Sequence, residues 1–205
     1  MQAVATIDYS QKMRMKALFA LLTSSARVTV LRVFLLDPLR SYYQRQIEMA
    51  TGLPIRAIQR ELERLSSVGL IYRRAEGNRT YYQVDMNFPL FPELRGMILK
   101  ASDDVDALRG TLALEDAVQL LFLADTRDRV LAVIRSGRRV TLPSKGPLAL
   151  EVMSNEEFLR ALGERKEQLD PFLVRGLDLL GRREDVLWRH IEAAGYNVQK
   201  GEGVP

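Results

Sequence analysis

Residues 41–84 read SYYQRQIEMATGLPIRAIQRELERLSSVGLIYRRAEGNRTYYQV, and the spacing of their apolar side chains decides the fold. Thr51-Gly52 breaks a short first helix whose apolar side is formed by Ile47, Met49, Ala50 and Leu53. Pro54 suits the first turn of a second helix, where its missing N–H is not needed. This helix, from about residue 55 to residue 67, is predicted to bury one face, because its apolar residues recur at steps of four, three and three: Ile58, Leu62, Leu65 and Val68.

A two-stranded hairpin is predicted after the second helix. Gly69 stands where helices favour a left-handed residue, so we expect it to end the helix. Residues 70–74 (LIYRR) and 80–84 (TYYQV) are typical of strands, and residues 76–78 (EGN) are typical of a turn. Helix, turn, helix and hairpin in this order predict a winged helix-turn-helix.

The polar face of the second helix carries the residue types that read DNA. Arg56, Gln59, Arg60, Glu63 and Arg64 face away from its apolar stripe. Arginine hydrogen-bonds guanine in the major groove, and glutamine hydrogen-bonds adenine. In this architecture the N-terminal part of the second helix approaches the bases, which places Arg56, Gln59 and Arg60 nearest to them.

The hairpin adds cations at its turn. Arg73, Arg74 and Arg79 surround it, and a Gly-Asn-Arg tip can lower one guanidinium onto a phosphate or into a narrow minor groove. An ordinary charged surface helix is the alternative, but the hairpin arginines favour DNA binding. The full set of predicted DNA-binding residues is Arg45, Arg56, Gln59, Arg60, Arg64, Arg73, Arg74, Asn78 and Arg79.

Residues 52–84 resemble the DNA-binding part of winged-helix regulators of the ArsR type. The chain is more similar still to a prokaryotic group in which that module is followed by HPLFPELR-x-x-I-L-K and a nucleotidyltransferase-fold domain. Residues 87–100 read NFPLFPELRGMILK at that place, and the similarity covers roughly residues 20–100. The resemblance implies a DNA-binding regulator and leaves its target open.

Composition is that of an ordinary soluble globular protein, with 205 residues, 47% hydrophobic and 27% charged. Residues 1–100 carry a net charge of +7 and residues 101–205 one of −3, which suits a DNA-binding module joined to a module with another role. The absence of cysteine excludes disulfides and thiolate metal sites. With neither an apolar run near the ~20 residues of a membrane span nor a signal peptide, we expect a cytoplasmic protein.

The first predicted domain, residues 13–85, begins with two helices. Residues 1–12 are expected to be a loose arm, and a helix should start near Met13. Ser24 or Ser25 can cap the next helix, which Asp37-Pro38 should stop near Leu36. At least one of Tyr42 and Tyr43 should belong to the core. Residues 86–102 are predicted to connect the domains through an amphipathic helix whose apolar stripe (Leu94, Met97, Ile98, Ala101) serves a homodimer or, alternatively, packs on the chain's own core.

The second predicted domain, residues 103–196, is a small α+β domain of about four strands. The strands are expected at residues 117–124, 129–134, 139–142 and 148–153, and a capped helix should begin at residues 154–157. Two final helices are expected around residues 172–180 and 186–194. The tail from Gly195 should be disordered.

Catalysis is not expected of this second domain. By the resemblance it would be a nucleotidyltransferase, whose Gly-Ser turn and Asp-x-Asp pair hold phosphates and divalent metal. Ala124-Asp125 stands in place of Gly-Ser, and Val130 stands where the second carboxylate would follow Asp128. One carboxylate cannot hold two metals, and the single His190 has no partner for another metal or nucleophile site. We therefore expect a reduced, nucleotidyltransferase-like domain that is not an enzyme and uses no metal or cofactor.

The sequence as a whole predicts a homodimeric transcriptional regulator that binds specific double-stranded DNA. The alternative is a DNA-associated scaffold or adaptor whose C-terminal domain binds a protein partner.

Overall fold

The protein is an α+β protein in which helices and two sheets occur along one chain. A computed structural model describes residues 2–140, 148–164, 166–201 and 203–204. The chain divides between Gly110 and Thr111 into two compact units, shortly after the boundary that the sequence suggests at residue 103.

The first unit combines six helices with a small antiparallel sheet in the described residues. The sheet order is β1-β3-β2, and Tyr42 of β1 lies opposite Tyr82 of β3. The last turn of α6 extends past the division between the units. The elements are α1 (Gln2–Leu22), α2 (Ser25–Leu36), β1 (Tyr42–Tyr43), α3 (Gln44–Thr51), α4 (Ile55–Ser67), β2 (Ile71–Glu76), β3 (Arg79–Val84), α5 (Phe91–Ala101) and α6 (Asp104–Ala113).

Helix α2 lies at the centre of the first unit's core. The Ser24 hydroxyl caps it, as predicted, by accepting a hydrogen bond from the Arg27 N–H at 3.1 Å. Seven of its residues from Val28 to Leu36 are buried. Tyr42 is also fully buried, with its ring edge-on to Phe34 at a centroid distance of 5.5 Å. The prediction that one of the two adjacent tyrosines belongs to the core is confirmed.

Three expectations for the first unit are wrong. Helix α1 begins at Gln2, where a loose arm is predicted, because this segment continues the helix that Leu18 anchors in the core. Met49 lies on the exposed side of α3. Val68 is 58% exposed, because α4 ends at Ser67 and the chain turns outward before Gly69.

The apolar stripe of α5 packs on the first unit's own core. Phe91, Ile98 and Ala101 are buried, and Leu94 and Met97 lie against them partly buried. Helix α5 contacts α1 and α2. The alternative that the sequence left open for this stripe is therefore the one observed, and a dimer would need another surface.

Helix α6 starts with a side-chain cap. The Asp103 carboxylate accepts a hydrogen bond from the Asp106 N–H at 2.7 Å. Asp106 in turn pairs with Arg32 of α2 and with Arg109 at 3.6 Å. The Arg32–Asp106 pair therefore joins α6 to α2.

The second unit is a five-stranded mixed sheet covered by three helices in the described residues. The strand order is β6-β5-β4-β7-β8, with β5–β6 and β7–β8 parallel and the other pairs antiparallel. Its aromatic core stacks Phe122 on Phe158 and places Trp188 beside Phe122. The elements are β4 (Val118–Leu123), β5 (Arg129–Ile134), β6 (Ala149–Ser154), α7 (Asn155–Glu164), α8 (Lys166–Leu173), β7 (Leu177–Asp178), α9 (Val186–Ala193) and β8 (Gln199–Lys200).

Several expectations for the second unit hold. Strands β4, β5 and β6 lie where the sequence predicts them. Ser154 caps α7 through a reciprocal box: its hydroxyl accepts from the Glu157 N–H at 3.2 Å, and its N–H donates to the Glu157 carboxylate at 2.8 Å. The pKa of Glu157 is lowered by the hydrogen bonds that its carboxylate accepts from the Ser154 N–H and, at 2.9 Å, from the Ser154 hydroxyl.

The end of the chain differs from prediction. The helix expected over residues 172–180 stops at Leu173, and β7 pairs with β4 instead. The backbone at Gly176 lies so close to another chain segment that a Cβ atom added there would contact it. The described residues from Gly195 onward are ordered: Val198 and Val204 are buried, and β8 pairs with β7. Of the strand predicted at residues 139–142, Arg139 and Val140 are not in a strand, and Thr141 and Leu142 lie outside the described residues.

Within the described residues, no single helix has both the length and the apolar character needed to cross a membrane. One pair bent by 110°, Lys12–Leu22 with Ser25–Leu36, passes that test by length and composition only.

Candidate nucleic-acid interface

The turn between α3 and α4 sets the start of the candidate interface. Gly52 caps α3 in the left-handed region, at φ +64, and its N–H donates to the Glu48 carbonyl at 2.8 Å. Pro54 stands immediately before α4, at φ −59. Helix α4 therefore begins directly after a tight turn, and Arg56, Gln59 and Arg60 fall in its N-terminal half.

Helix α4 separates an apolar face from a cationic one. Ile58, Leu62 and Leu65 are buried in the core of the first unit. Arg56 and Arg60 lie on the opposite side, both exposed, and neither makes a hydrogen bond or ion pair with another described residue. An exposed cation with no internal partner is available to bind a phosphate or a base edge.

A buried carboxylate fixes α4 to α2. Glu61 is 6% exposed and accepts a hydrogen bond from the Arg27 Nε–H at 3.0 Å. The Arg64 guanidinium lies 3.3 Å from its other oxygen, and the Ser24 hydroxyl donates to that oxygen at 3.4 Å. The sequence analysis missed this residue, although its position between Ile58 and Leu65 on the apolar stripe is a detectable signal.

Strand β2 and the turn of the hairpin extend into solvent beyond the first pair of residues. Ile71 and Val84 are paired and buried, whereas every residue from Tyr72 to Arg79 is exposed. Glu76 pairs with Arg79, so Gly77 and Asn78 form a two-residue turn, with Gly77 at φ +59.

Adjacent arginines on β2 face opposite sides of the hairpin, because side chains alternate along a strand. Arg73 lies opposite Tyr82, on the face that Ile71 shares. Arg74 lies opposite Tyr81 on the other face and pairs with Glu76 at 3.0 Å. The hairpin therefore presents a cation on each face.

Arg79 rests on an aromatic pair beside the turn. Its guanidinium lies 4.8 Å from the centroid of the Tyr43 ring, a cation–π distance. The Tyr43 ring meets Tyr81 edge-on at 5.9 Å. These contacts hold the guanidinium without neutralising its charge.

A groove of about 720 Å³ runs between α4 and β2. Leu62 and Ile71 lie among the residues that line it, with Glu63 of α4 and Arg73 of β2. Gln59 lines the groove as well, so one predicted base-reading residue and one predicted hairpin cation share this space.

Three polar side chains connect the elements around this groove. The Gln59 amide donates from Nε2 to Oε1 of Gln44, the first residue of α3, at 3.3 Å. Gln44 donates from its own Nε2 to the Tyr82 hydroxyl of β3 at 3.2 Å. Sequence reasoning missed Gln44 and Tyr82, because only the tertiary approach of three separate elements brings them together.

All nine predicted DNA-binding residues are exposed and lie in the first unit. Two of the nine already have an ion-pair partner: Arg64 pairs with Glu61, and Arg74 pairs with Glu76. Arg45 lies on α3 and makes no hydrogen bond or ion pair with another described residue.

In the second unit, the positions compared with a metal-binding pair differ in environment. Val130 is fully buried on β5, paired with Leu123 and Leu150. Asp128 lies exposed in the turn before β5, where the Thr126 hydroxyl donates to it. Among the residues that the structure describes, no three His, Cys, Asp or Glu side chains are grouped to hold a metal ion.

Comparison of the chain with protein-family models, with curated proteins and with solved structures finds no match.

Proposed function

We propose that the first unit is a winged helix-turn-helix module and that the protein is a transcriptional regulator that binds specific double-stranded DNA. One observation carries the proposal: α4 is fixed to the core by Ile58, Leu62 and the buried Glu61, while Arg56 and Arg60 stand exposed and unpaired on its opposite face. A rigid helix with a free cationic face suits insertion into a major groove, which is wide enough to admit it.

In this proposal the hairpin is the wing. Its turn carries Asn78 and Arg79 into solvent, where Arg79 contacts the DNA backbone or a narrow minor groove. Arg73 faces the groove beside α4 and contacts a phosphate of the strand that α4 approaches. Such a DNA-binding role places the protein in the cytoplasm.

Two-fold symmetry would double the length of DNA that is read, so we propose a homodimer. The stripe of α5 is occupied by the core, and the described part of α1 offers another surface. Met13, Ala17 and Leu21 are exposed there at steps of four, on one side of the helix. In sedimentation measurements the wild type should behave as a dimer and Leu21→Lys as a monomer. A wild type that sediments as a monomer at micromolar concentration would refute the dimer.

We assign the second unit no catalytic role and regard it as a reduced nucleotidyltransferase-like domain. The support is chemical: Val130, buried between neighbouring strands, supplies no metal ligand at the position of the second carboxylate. A domain without this carboxylate is suited to binding a partner or ligand. Calorimetric titration of the protein with nucleotide and Mg²⁺ should show no heat of binding. A stoichiometric heat of binding would overturn the assignment of no catalytic role.

The decisive experiment begins with sequencing of genomic fragments retained by the purified protein. Arg60→Ala should weaken binding to the recovered site by roughly 5- to 150-fold, the loss of one base-reading arginine. Arg79→Ala should weaken binding to all sequences similarly and lower the salt slope by about 1.

Arg189→Ala is the matched control, because Arg189 is exposed in the second unit and removing it changes the net charge equally. Affinity unchanged in both Arg60→Ala and Arg79→Ala would reject the proposed surface. Retention of fragments without a shared motif would instead favour a non-specific DNA scaffold.

A further inference from the structure

We infer that Gln44 is a specificity-determining positioning residue, which holds the Gln59 amide in the orientation that reads adenine. The inference rests on the proposed function, since it assumes that Gln59 meets a base. Because Gln44 belongs to α3, this helix would take part in base selection together with α4.

The hydrogen-bond direction carries the argument. Gln44 presents its carbonyl Oε1 to Gln59, so the Gln59 group that faces it is Nε2, at 3.3 Å. An amide nitrogen has two hydrogens, and only one is used in this bond. In the inferred arrangement the bond to Gln44 uses the hydrogen on the side away from Oε1, so the second N–H and the Oε1 of Gln59 share the other edge of the amide.

That free edge has one donor and one acceptor side by side. Adenine presents N7 as an acceptor and the N6 amino group as a donor in the major groove, so the edge matches adenine in a bidentate pair. A Gln59 amide turned by 180° would set its carbonyl against the carbonyl of Gln44. While Gln44 keeps its own orientation, this contact therefore disfavours the turned amide, which would lose the match.

Gln44 is itself held in place. It is the first residue of α3, and its Nε2 donates to the Tyr82 hydroxyl at 3.2 Å. Tyr82 is buried and paired with Tyr42 in the sheet. The contacts from Tyr82 through Gln44 to Gln59 thus restrain the Gln59 side chain before DNA arrives, and a side chain ordered in advance loses less freedom on binding.

The test is binding-site selection from a random duplex library, followed by sequencing, with the full-length wild type and variants. The wild type should enrich an A·T pair, by roughly 5- to 150-fold, at one position whose preference disappears in Gln59→Ala. Gln44→Leu should lose the preference at this same position and keep it elsewhere. Gln44→Glu keeps an acceptor for Gln59, so it should retain the adenine preference although its added negative charge lowers affinity for every sequence.

A purely structural role would move affinity at all positions together and would not distinguish glutamate from leucine. Tyr82→Phe, which removes the hydroxyl anchor, should weaken the same single preference and covers the case in which Gln44→Leu fails to fold. Adenine preference kept in Gln44→Leu but lost in Gln59→Ala would overturn the inference and leave the proposed function standing. A wild type that enriches no motif would overturn both.

Discussion

Replacement of Glu61 by alanine tests how α4 is held in place. The Glu61 side chain is only 8% exposed, whereas its partners Arg27 and Arg64 are 23% and 60% exposed. The hydrogen bond to the half-buried Arg27 is charge-assisted and should contribute about 1.5–3 kcal/mol. The pair with the exposed Arg64 should add at most about 1 kcal/mol. Glu61→Ala should therefore lower the free energy of unfolding by about 2–4 kcal/mol.

Urea unfolding followed by far-ultraviolet circular dichroism measures this loss. With a slope of about 2 kcal/mol per molar urea, the midpoint should fall by about 1–2 M. The only tryptophan, Trp188, lies in the second unit, so its fluorescence reports separately on that unit. If the urea midpoint falls more when it is followed by circular dichroism than when it is followed by fluorescence, the loss of stability lies in the first unit.

The matched variants separate the two partners of Glu61. Arg64→Ala should cost less than about 1 kcal/mol because that pair is exposed. A double-mutant cycle of Glu61→Gln with Arg27→Met should show a coupling of about 1–3 kcal/mol. A coupling below about 0.5 kcal/mol, or equal losses for Arg64→Ala and Glu61→Ala, would refute this account of the buried pair.

Three further predictions concern the backbone and a buried acid. Gly176→Ala should destabilise the second unit by at least about 1–3 kcal/mol in urea unfolding. The added Cβ would lie 2.2 Å from the Phe172 carbonyl oxygen and 2.5 Å from the Leu123 carbonyl oxygen. An unchanged urea midpoint would contradict this prediction. Gly69→Ala should cost about 1–2 kcal/mol, because Gly69 has φ +82 and open space around it, so only the left-handed backbone opposes a side chain; a loss near zero would contradict that cause. Burial raises the pKa of Asp178 above its ordinary 3.8 despite two backbone hydrogen bonds, so the contribution of Asp178 to folding stability is full below pH 3.8 and is lost as pH rises through the folded-state pKa. Asp178→Asn should therefore gain stability relative to wild type over that rise in pH, and a stability difference that is independent of pH would refute the prediction.

The parts of the fold that the sequence could predict are those fixed by local periodicity. Ile58, Leu62 and Leu65 identify α4 because their spacing matches one helical face, and Gly69 takes the left-handed conformation expected of it. Val68 continues the same spacing and is nevertheless exposed, since the helix ends at Ser67 and periodicity does not show where a helix stops.

Long-range pairing explains the errors at the end of the second unit. Strand β8 has two residues, too few for a pattern, and it exists because β7 lies beside it. The predicted helix around residues 172–180 has suitable apolar residues, but the close approach at Gly176 and the pairing of β7 with β4 override them.

The candidate site divides in the same way. The exposed cations on α4 and the hairpin follow from the sequence, because surface position is set by the local pattern. The link from Gln59 through Gln44 to Tyr82 depends on three elements that meet in space. The separation of Arg73 and Arg74 onto opposite faces follows from alternation along a strand, whereas their cross-strand partners, Tyr82 and Tyr81, depend on the strand register.

The outer strand of the hairpin also bears on aggregation. In the sheet order β1-β3-β2, strand β2 is an edge strand, and its backbone is open to pairing with another chain. Charged side chains on both faces, Arg73 on one and Arg74 with Glu76 on the other, discourage such pairing. The same arginines therefore protect the free protein against aggregation, and neutralising them together would expose a six-residue edge that could recruit its neighbours into fibrils.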